Sequence, residues 1–122
     1  MRVLVCGGRD YKDAARVAQV LDTLHAQHGF TVVIEGGALG VDSWAALWAQ
    51  GRGIAGETYP ADWTAYGKAA GPIRNLQMIS NGKPDLVVAF PGGRGTADMV
   101  RRAKTAGIKV IEVPPAPREG RE

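Results

Sequence analysis

One cysteine, Cys6, is the only thiol in 122 residues. That excludes an intramolecular disulfide framework and any cysteine-rich zinc site, and it suits a reducing compartment. No apolar run approaches the roughly 18 residues of a membrane-spanning helix. Met1-Arg2 leads straight into Val3-Leu4-Val5 with no signal-peptide layout, so a soluble, cytoplasmic protein with no membrane partner is expected. Charge of one sign is scarce too: a net +3 permits an anionic partner but is too small to demand nucleic acid. G-x-x-x-x-G-K-[ST] does not occur, and Gly7-Gly8 does not extend into G-x-G-x-x-G, which argues against a P-loop NTPase and an ordinary dinucleotide dehydrogenase. Aromatic residues are few. Glycine is not: seventeen are present, so the chain must turn often or approach something closely.

The length suits one hydrophobic core. Short runs rich in β-branched residues at Val3 to Cys6, Thr31 to Ile34, Leu86 to Phe90 and Lys109 to Val113 read as strands, with a weaker one around Ile54 to Tyr59. Most are continuously apolar, as in a parallel sheet covered on both faces. Helical spacing separates them. Ala14, Val17, Ala18, Leu21 and Leu24 precede a Gly29 stop, and a second helix runs from about Asp42 to Gln50. A third begins at Pro72 and stops near Asn81-Gly82, and a fourth runs from about Thr96 to Ala106. The expected fold is α/β, a Rossmann-like open doubly wound, mainly parallel sheet of about five strands in a single domain over residues 1–113. Residues 114–122 are Pro-rich and charged, and read as a disordered tail.

Three strands run into a double glycine and then a helix: Cys6-Gly7-Gly8-Arg9, Glu35-Gly36-Gly37-Ala38 and Pro91-Gly92-Gly93-Arg94-Gly95-Thr96. Parallel strands end on one edge, so these turns gather along one rim, where open α/β folds take ligands. Helix N-termini there present free amides and a partial positive charge, which suits phosphate. Arg9, Arg74 and Arg94 stand in or beside the loops and offer bidentate guanidinium geometry. Backbone geometry alone would explain any one of these glycine turns; three together favour a site.

Val5 to Tyr11, Gly36-Gly37-Ala38-x-Gly40-Val41-Asp42, Pro60 to Trp63, Gly71-Pro72-Ile73-Arg74-Asn75 and Ala89 to Thr96 together resemble the SLOG superfamily, and within it the YspA group related to YpsA. The resemblance covers about residues 2–113 and implies a Rossmann-like sheet that binds nucleotides or nucleotide-derived ligands. Its LOG enzymes cleave the N-glycosidic bond of cytokinin riboside monophosphates or AMP with a P-G-G-x-G-T-x-x-E motif and an upstream arginine. Pro91 to Thr96 match the phosphate-binding part, Arg74 resembles the arginine, and Met99 stands at the glutamate position. Methionine can neither stabilise an oxocarbenium-like state nor activate water. Asp98 is adjacent but about 100° around the helix. Asp42 and Glu35, on the neighbouring rim, are the substitutes.

Two readings follow, with a third behind them. A binding module would sense or sequester a nucleotide or nucleotide-derived small molecule, its phosphate on Gly92, Gly93, Gly95 and Thr96 beside Arg74 and Asn75 and its base nearer Trp63. An enzyme would hydrolyse a nucleoside 5′-monophosphate to base and ribose 5-phosphate, with Arg74 and a carboxylate from Asp98, Asp42 or Glu35. Single-stranded nucleic acid is the less favoured third reading.

Other residues carry plainer alternatives. Asp42 and Asp10 both suit helix caps, and the functional reading of Asp42 is a hydrogen bond to a ribose hydroxyl or a catalytic carboxylate. Trp44 and Trp48 share a helix face, which fits core packing or a homodimer interface, while Trp63 and Tyr66 sit in a loop and fit a wall against a base. Nothing calls for a cofactor or a metal: His25 and His28 lack a Cys or acidic partner and read as a solvated face. Cys6 reads as a buried small hydrophobe and Arg101-Arg102-x-Lys104 as a solvated face.

Overall fold

The structure, a computed structural model, describes residues 1–115. Along the chain run β1 (Arg2–Cys6), α1 (Ala14–His28), β2 (Val32–Glu35), α2 (Val41–Gly51), β3 (Ala55–Thr58), α3 (Trp63–Tyr66), a 3-10 turn (Gly67–Ala69), α4 (Ala70–Ser80), β4 (Leu86–Ala89), α5 (Arg94–Thr105) and β5 (Lys109–Glu112). The strands form one five-stranded sheet in the order β3-β2-β1-β4-β5, and every pairing is parallel. This is a single Rossmann-like α/β domain.

The alternation of side chains along the central strands divides the core in two. Val3 and Val5 of β1 and Leu86 and Val88 of β4 point to one face, where Val17 and Leu21 of α1 and Ala45, Trp48 and Ala49 of α2 meet them. Leu4 and Cys6, with Val87 and Ala89, point to the other, against Met78 of α4 and Met99 and Ala103 of α5. Burying each Val or Leu contributes about 1.5–3 kcal/mol, so β1 and β4, apolar on both faces, anchor the fold. Their sequences need no alternation because neither face meets water.

The edge strands differ. β3 is mostly exposed and carries Gly56 and Glu57, and β5 begins and ends on exposed charged residues. Charged side chains on an edge discourage pairing with another chain, and they also erase the apolar signal. Arg2 reaches from β1 to Glu57 at 2.6 Å and ties the β3 edge to the central strand.

Several expectations shift. Asp13, not Asp10, caps α1, accepting from the Arg16 amide at 3.0 Å. α5 starts two residues before Thr96 and α4 two before Pro72, which falls inside the first turn where its missing N–H costs nothing. The segment read as a loop at Trp63 folds into α3, capped by Asp62. Gly29 ends α1 at φ 70° as expected. His25 is not on a solvated face: it is half-buried, its Nδ1 accepts from the Phe30 amide at 2.9 Å, and its ring lies beside Phe30 and Trp48. Trp48 is core, with its indole N–H donating to Asp22, and Trp44 donates to the Tyr11 carbonyl at 3.2 Å. Cys6 is buried, as its place at the end of β1 implies. Pro114 and Pro115 are exposed, and the rest of the expected tail lies outside the described residues.

Candidate functional site

The chain leaves β1 toward β2 and β3, then crosses back to β4 on the other side of β1. The two strands whose connections diverge are therefore β1 and β4, and the crevice beyond their carboxyl ends is the topological switch point. The loops there are braced together. The Gly8 amide donates to the Pro91 carbonyl at 2.9 Å, while the Gly8 carbonyl accepts from the amides of Tyr11 and Val41, both at 3.3 Å. Two glycines make this brace possible. A Cβ on Gly92 would strike the Thr96 hydroxyl and sit 2.8 Å from the Gly8 nitrogen, and one on Gly40, whose φ is 75°, would strike the Gly8 and Arg9 carbonyl oxygens.

Beyond the brace lies an open cleft of about 1310 Å³. The three glycine turns do not contribute equally to it. The start of α1 is satisfied by Asp13, and the first turn of α2 carries Asp42. α5 alone of these three helices has neither: Gly93 is its cap without a side-chain acceptor, and its first turn holds no acidic residue. Its leading amides have no upstream carbonyl to meet, and the positive end of its dipole faces the cleft. Gly93 and Gly95 keep that approach open, with no atom within 4 Å of where a Cβ would stand.

Arg74 crosses the floor from α4. Its guanidinium donates to the Gly36 carbonyl at 2.6 Å and, through Nε, to Asn75 at 3.1 Å. Gly36 must be glycine for this, because a Cβ there would collide with the Arg74 guanidinium. Burial lowers the Arg74 pKa against the field of Asp42, which opposes the shift. Asn75 is buried and donates to the Gly95 carbonyl at 3.1 Å and to Asp98 at 3.0 Å, so it ties α4 to the first turns of α5. Burial also raises the Asp42 carboxyl to about 6, against the Ala38 amide and Arg74, and pushes the neighbouring Cys6 thiol up to about 12.

At the mouth, the Arg9 guanidinium stands 5.4 Å from the centre of the Trp63 ring, a cation–π arrangement on a side chain that is 50% exposed. Five cations, Arg9, Lys68, Arg74, Arg94 and Arg101, and three carboxylates, Asp10, Asp42 and Asp98, line the cleft.

Of the sequence-selected residues, Gly7, Gly8, Arg9, Ala38, Asp42, Trp63, Arg74, Asn75, Asp98 and all of Pro91 to Thr96 come together on the cleft wall. Gly36 and Gly37 stand behind it, the first holding Arg74 and the second donating to Glu35 at 2.6 Å. Glu35 is buried, and its other oxygen accepts from the Thr58 hydroxyl, so both of its oxygens are engaged away from the cleft. Tyr66 is exposed on α3. Sequence reading missed Lys68 and Arg101. Arg101 was legible in principle: Arg94, Asp98 and Arg101 follow the 4-then-3 spacing of one helix stripe, and that stripe faces the cleft.

Residues 1–66, which carry β1, the first two glycine turns and Trp63, match the YspA, cpYpsA-related SLOG family. The chain belongs to that family. This SLOG protein is 42% identical over 118 residues to the Gene 61 protein of Mycobacterium phage D29, an alignment covering 90% of this chain and 94% of the relative. Its fold is also that of DNA processing protein A (DprA) from Streptococcus pneumoniae, at TM-score 0.76 and 21% identity over 98% of this chain. That match covers 52% of DprA, so the SLOG chain spans about half of its length. TM1055 matches at TM-score 0.68 and 20% identity, covering 89% of this chain and 71% of its own. At these identities both likenesses concern fold alone. The molybdenum cofactor carrier protein of Chlamydomonas reinhardtii matches at TM-score 0.67 and 26% identity, covering 91% of this chain and 75% of the carrier.

The carboxylates of this SLOG protein are not equally available. Met99 is 0% exposed, inside the apolar layer with Leu4, Cys6, Met78 and Ala89, so its position faces the core rather than the cleft. Burial raises the Asp98 carboxyl, but hydrogen bonds from Asn75 and Arg102 and the charge of Arg101 outweigh it and hold the group below its ordinary value. Asp98 is committed to those partners. Asp42 is the carboxylate on the floor without an ion pair. Among the described residues no cluster of His, Cys, Asp or Glu would hold a metal ion, and no helix is long and apolar enough to cross a membrane.

Proposed function

We propose that this SLOG protein is a binding module for a nucleotide or nucleotide-derived phosphate ligand, which it senses or sequesters without consuming. The observation that carries this reading is the unblocked N-terminus of α5, facing a cleft at the switch point with more cations than carboxylates. A phosphate there would meet the amides from Gly93 to Thr96, while Arg74, held by the Gly36 carbonyl, supplies charge from the cleft floor. Trp63 offers an aromatic face for a base. The likeness to a protein named as a cofactor carrier supports holding over turnover.

A second reading is favoured by Asp42. A carboxyl titrating at about 6 on a cleft floor is poised for acid or base work, so a phosphoribohydrolase using Asp42 is the rival. Binding of single-stranded nucleic acid is a further rival, and its affinity would fall steeply with salt.

Calorimetric titration with AMP, ADP-ribose and NAD, each mixture then chromatographed for free base, separates these. Binding without base release is expected, and Arg74→Ala should weaken it about 10- to 100-fold, the value of a charge-assisted hydrogen bond. Base release abolished in Asp42→Asn would establish the hydrolase instead. No binding of any of the three would overturn the proposal.

A further inference from the structure

Asp42 has one oxygen that the fold does not use. The side chain is 7% exposed, and its Oδ2 accepts from the Ala38 amide at 3.2 Å. The Gly36 amide also helps to hold the carboxylate, and among the described residues no hydrogen bond reaches Oδ1. Among the described residues the one fully buried side-chain polar atom without a partner is the Arg16 Nε, so Oδ1 of Asp42 is reached from the cleft it lines. A buried carboxylate with an idle oxygen costs stability unless a donor meets it, which marks the place where a ligand donates rather than accepts.

The position of that oxygen selects the donor. This step rests on the nucleotide reading above, with phosphate at the start of α5. α5 follows β4 and α2 follows β2, and both strands flank β1. Gly8 links the two helix starts: its amide donates to Pro91 before α5, and its carbonyl accepts from Val41 beside Asp42, so only that residue separates them. One ribose 5-phosphate bridges such a span with a hydrogen bond at each end. Its donors at the far end are the sugar hydroxyls, which are neutral and lie at a fixed distance from the phosphate whatever the base. Arg74, between the two sites, shields the phosphate from the Asp42 charge.

We infer that Asp42 accepts hydrogen bonds from the ribose hydroxyls of the ligand, so that the cleft selects ribonucleotides over their 2′-deoxy counterparts. Asp42 is then a specificity-determining residue. It does the recognition from the first turn of α2, while the position of Met99 on α5 is given to the core.

The test is calorimetry with AMP and GMP against 2′-deoxy-AMP and 2′-deoxy-GMP. The wild-type protein should bind the ribonucleotides about 10-fold or more tightly, the usual effect of a hydrogen bond to a charged group. Asp42→Asn keeps an oxygen for the Ala38 amide and turns the cleft-facing atom from acceptor to donor. Its preference should fall below about 3-fold, with melting temperature recorded to confirm folding. A pH series adds a readout that mere packing would not move. The preference should shrink below pH 6 as Asp42 takes a proton. The charged and titratable groups facing Asp42 are Arg74 from α4, Cys6 from β1 and Glu35 from β2, and ligand phosphate protonation cancels in the ribose-to-deoxyribose ratio. Equal affinities in the wild-type protein, or an undiminished preference in Asp42→Asn, overturn this inference and leave the nucleotide reading standing. Failure of all four ligands to bind overturns both.

Discussion

Met99→Glu is expected to lose about 3–5 kcal/mol of stability, the cost of an uncompensated buried charge, and to release no base from AMP. The substitution installs the glutamate of the LOG motif, yet Met99 points into the layer formed by Leu4, Cys6, Met78, Ala89 and Ala103. A carboxylate there either remains charged without a partner or takes up a proton. In the second case its folded pKa rises above the ordinary value of about 4.3, so the deficit is small in acid and grows as pH rises through that value. Against a total of about 5–15 kcal/mol for a domain, the loss is large enough to read from urea denaturation at pH 5 and 8. A variant as stable as its parent that frees adenine from AMP would mean that the position opens onto the cleft.

The second large effect concerns the brace under the site. Gly40→Ala is expected to cost about 2–6 kcal/mol, combining backbone strain of about 1–3 with a steric clash of similar size. At φ 75° and ψ −128°, Gly40 occupies a conformation closed to L residues, and its Cβ would enter the Gly8 and Arg9 carbonyl oxygens, which are backbone and cannot swing aside. Moving the Gly8 carbonyl breaks its bonds from Tyr11 and Val41 and shifts the Gly8 to Pro91 link, so ligand affinity should fall along with stability. Gly53→Ala is the control: φ is 67°, but nothing lies within 4 Å of the new methyl, so strain alone applies. Thermal and chemical denaturation of both variants decide the matter. If Gly40→Ala proves no worse than Gly53→Ala, the loops are not braced as described.

All five strands were legible in the sequence, the central ones most clearly, for one physical reason. β1 and β4 are covered on both faces, so their apolar runs stand out, whereas β3 is exposed and interrupted by glycine, leaving little pattern. α3 is four residues long, too short for a period to show. α5 begins in Arg94 and Gly95, poor signals for a helix start, because that end is left uncapped toward the cleft. In the site, the glycines of the first and third turns and the Arg74-Asn75 pair were legible because backbone approach and guanidinium chemistry restrict the residue types. The different placements of Asp42, Asp98 and Glu35 were not. Each depends on partners far along the chain: Arg74 for Asp42, Asn75 for Asp98 and Thr58 for Glu35.

The central claim is that the open N-terminus of α5 receives the phosphate of a nucleotide. Its most direct test is a titration of isotope-labelled protein with AMP, followed through the backbone amide resonances. Saturable shifts concentrated on Gly93, Arg94, Gly95 and Thr96, and weakened in Arg74→Ala, are the expected result. Shifts that leave Arg94 and Gly95 unmoved and gather at Lys104, Thr105 and Glu112, around the smaller hollow of about 660 Å³ that also touches Gly93 and Thr96, would contradict it.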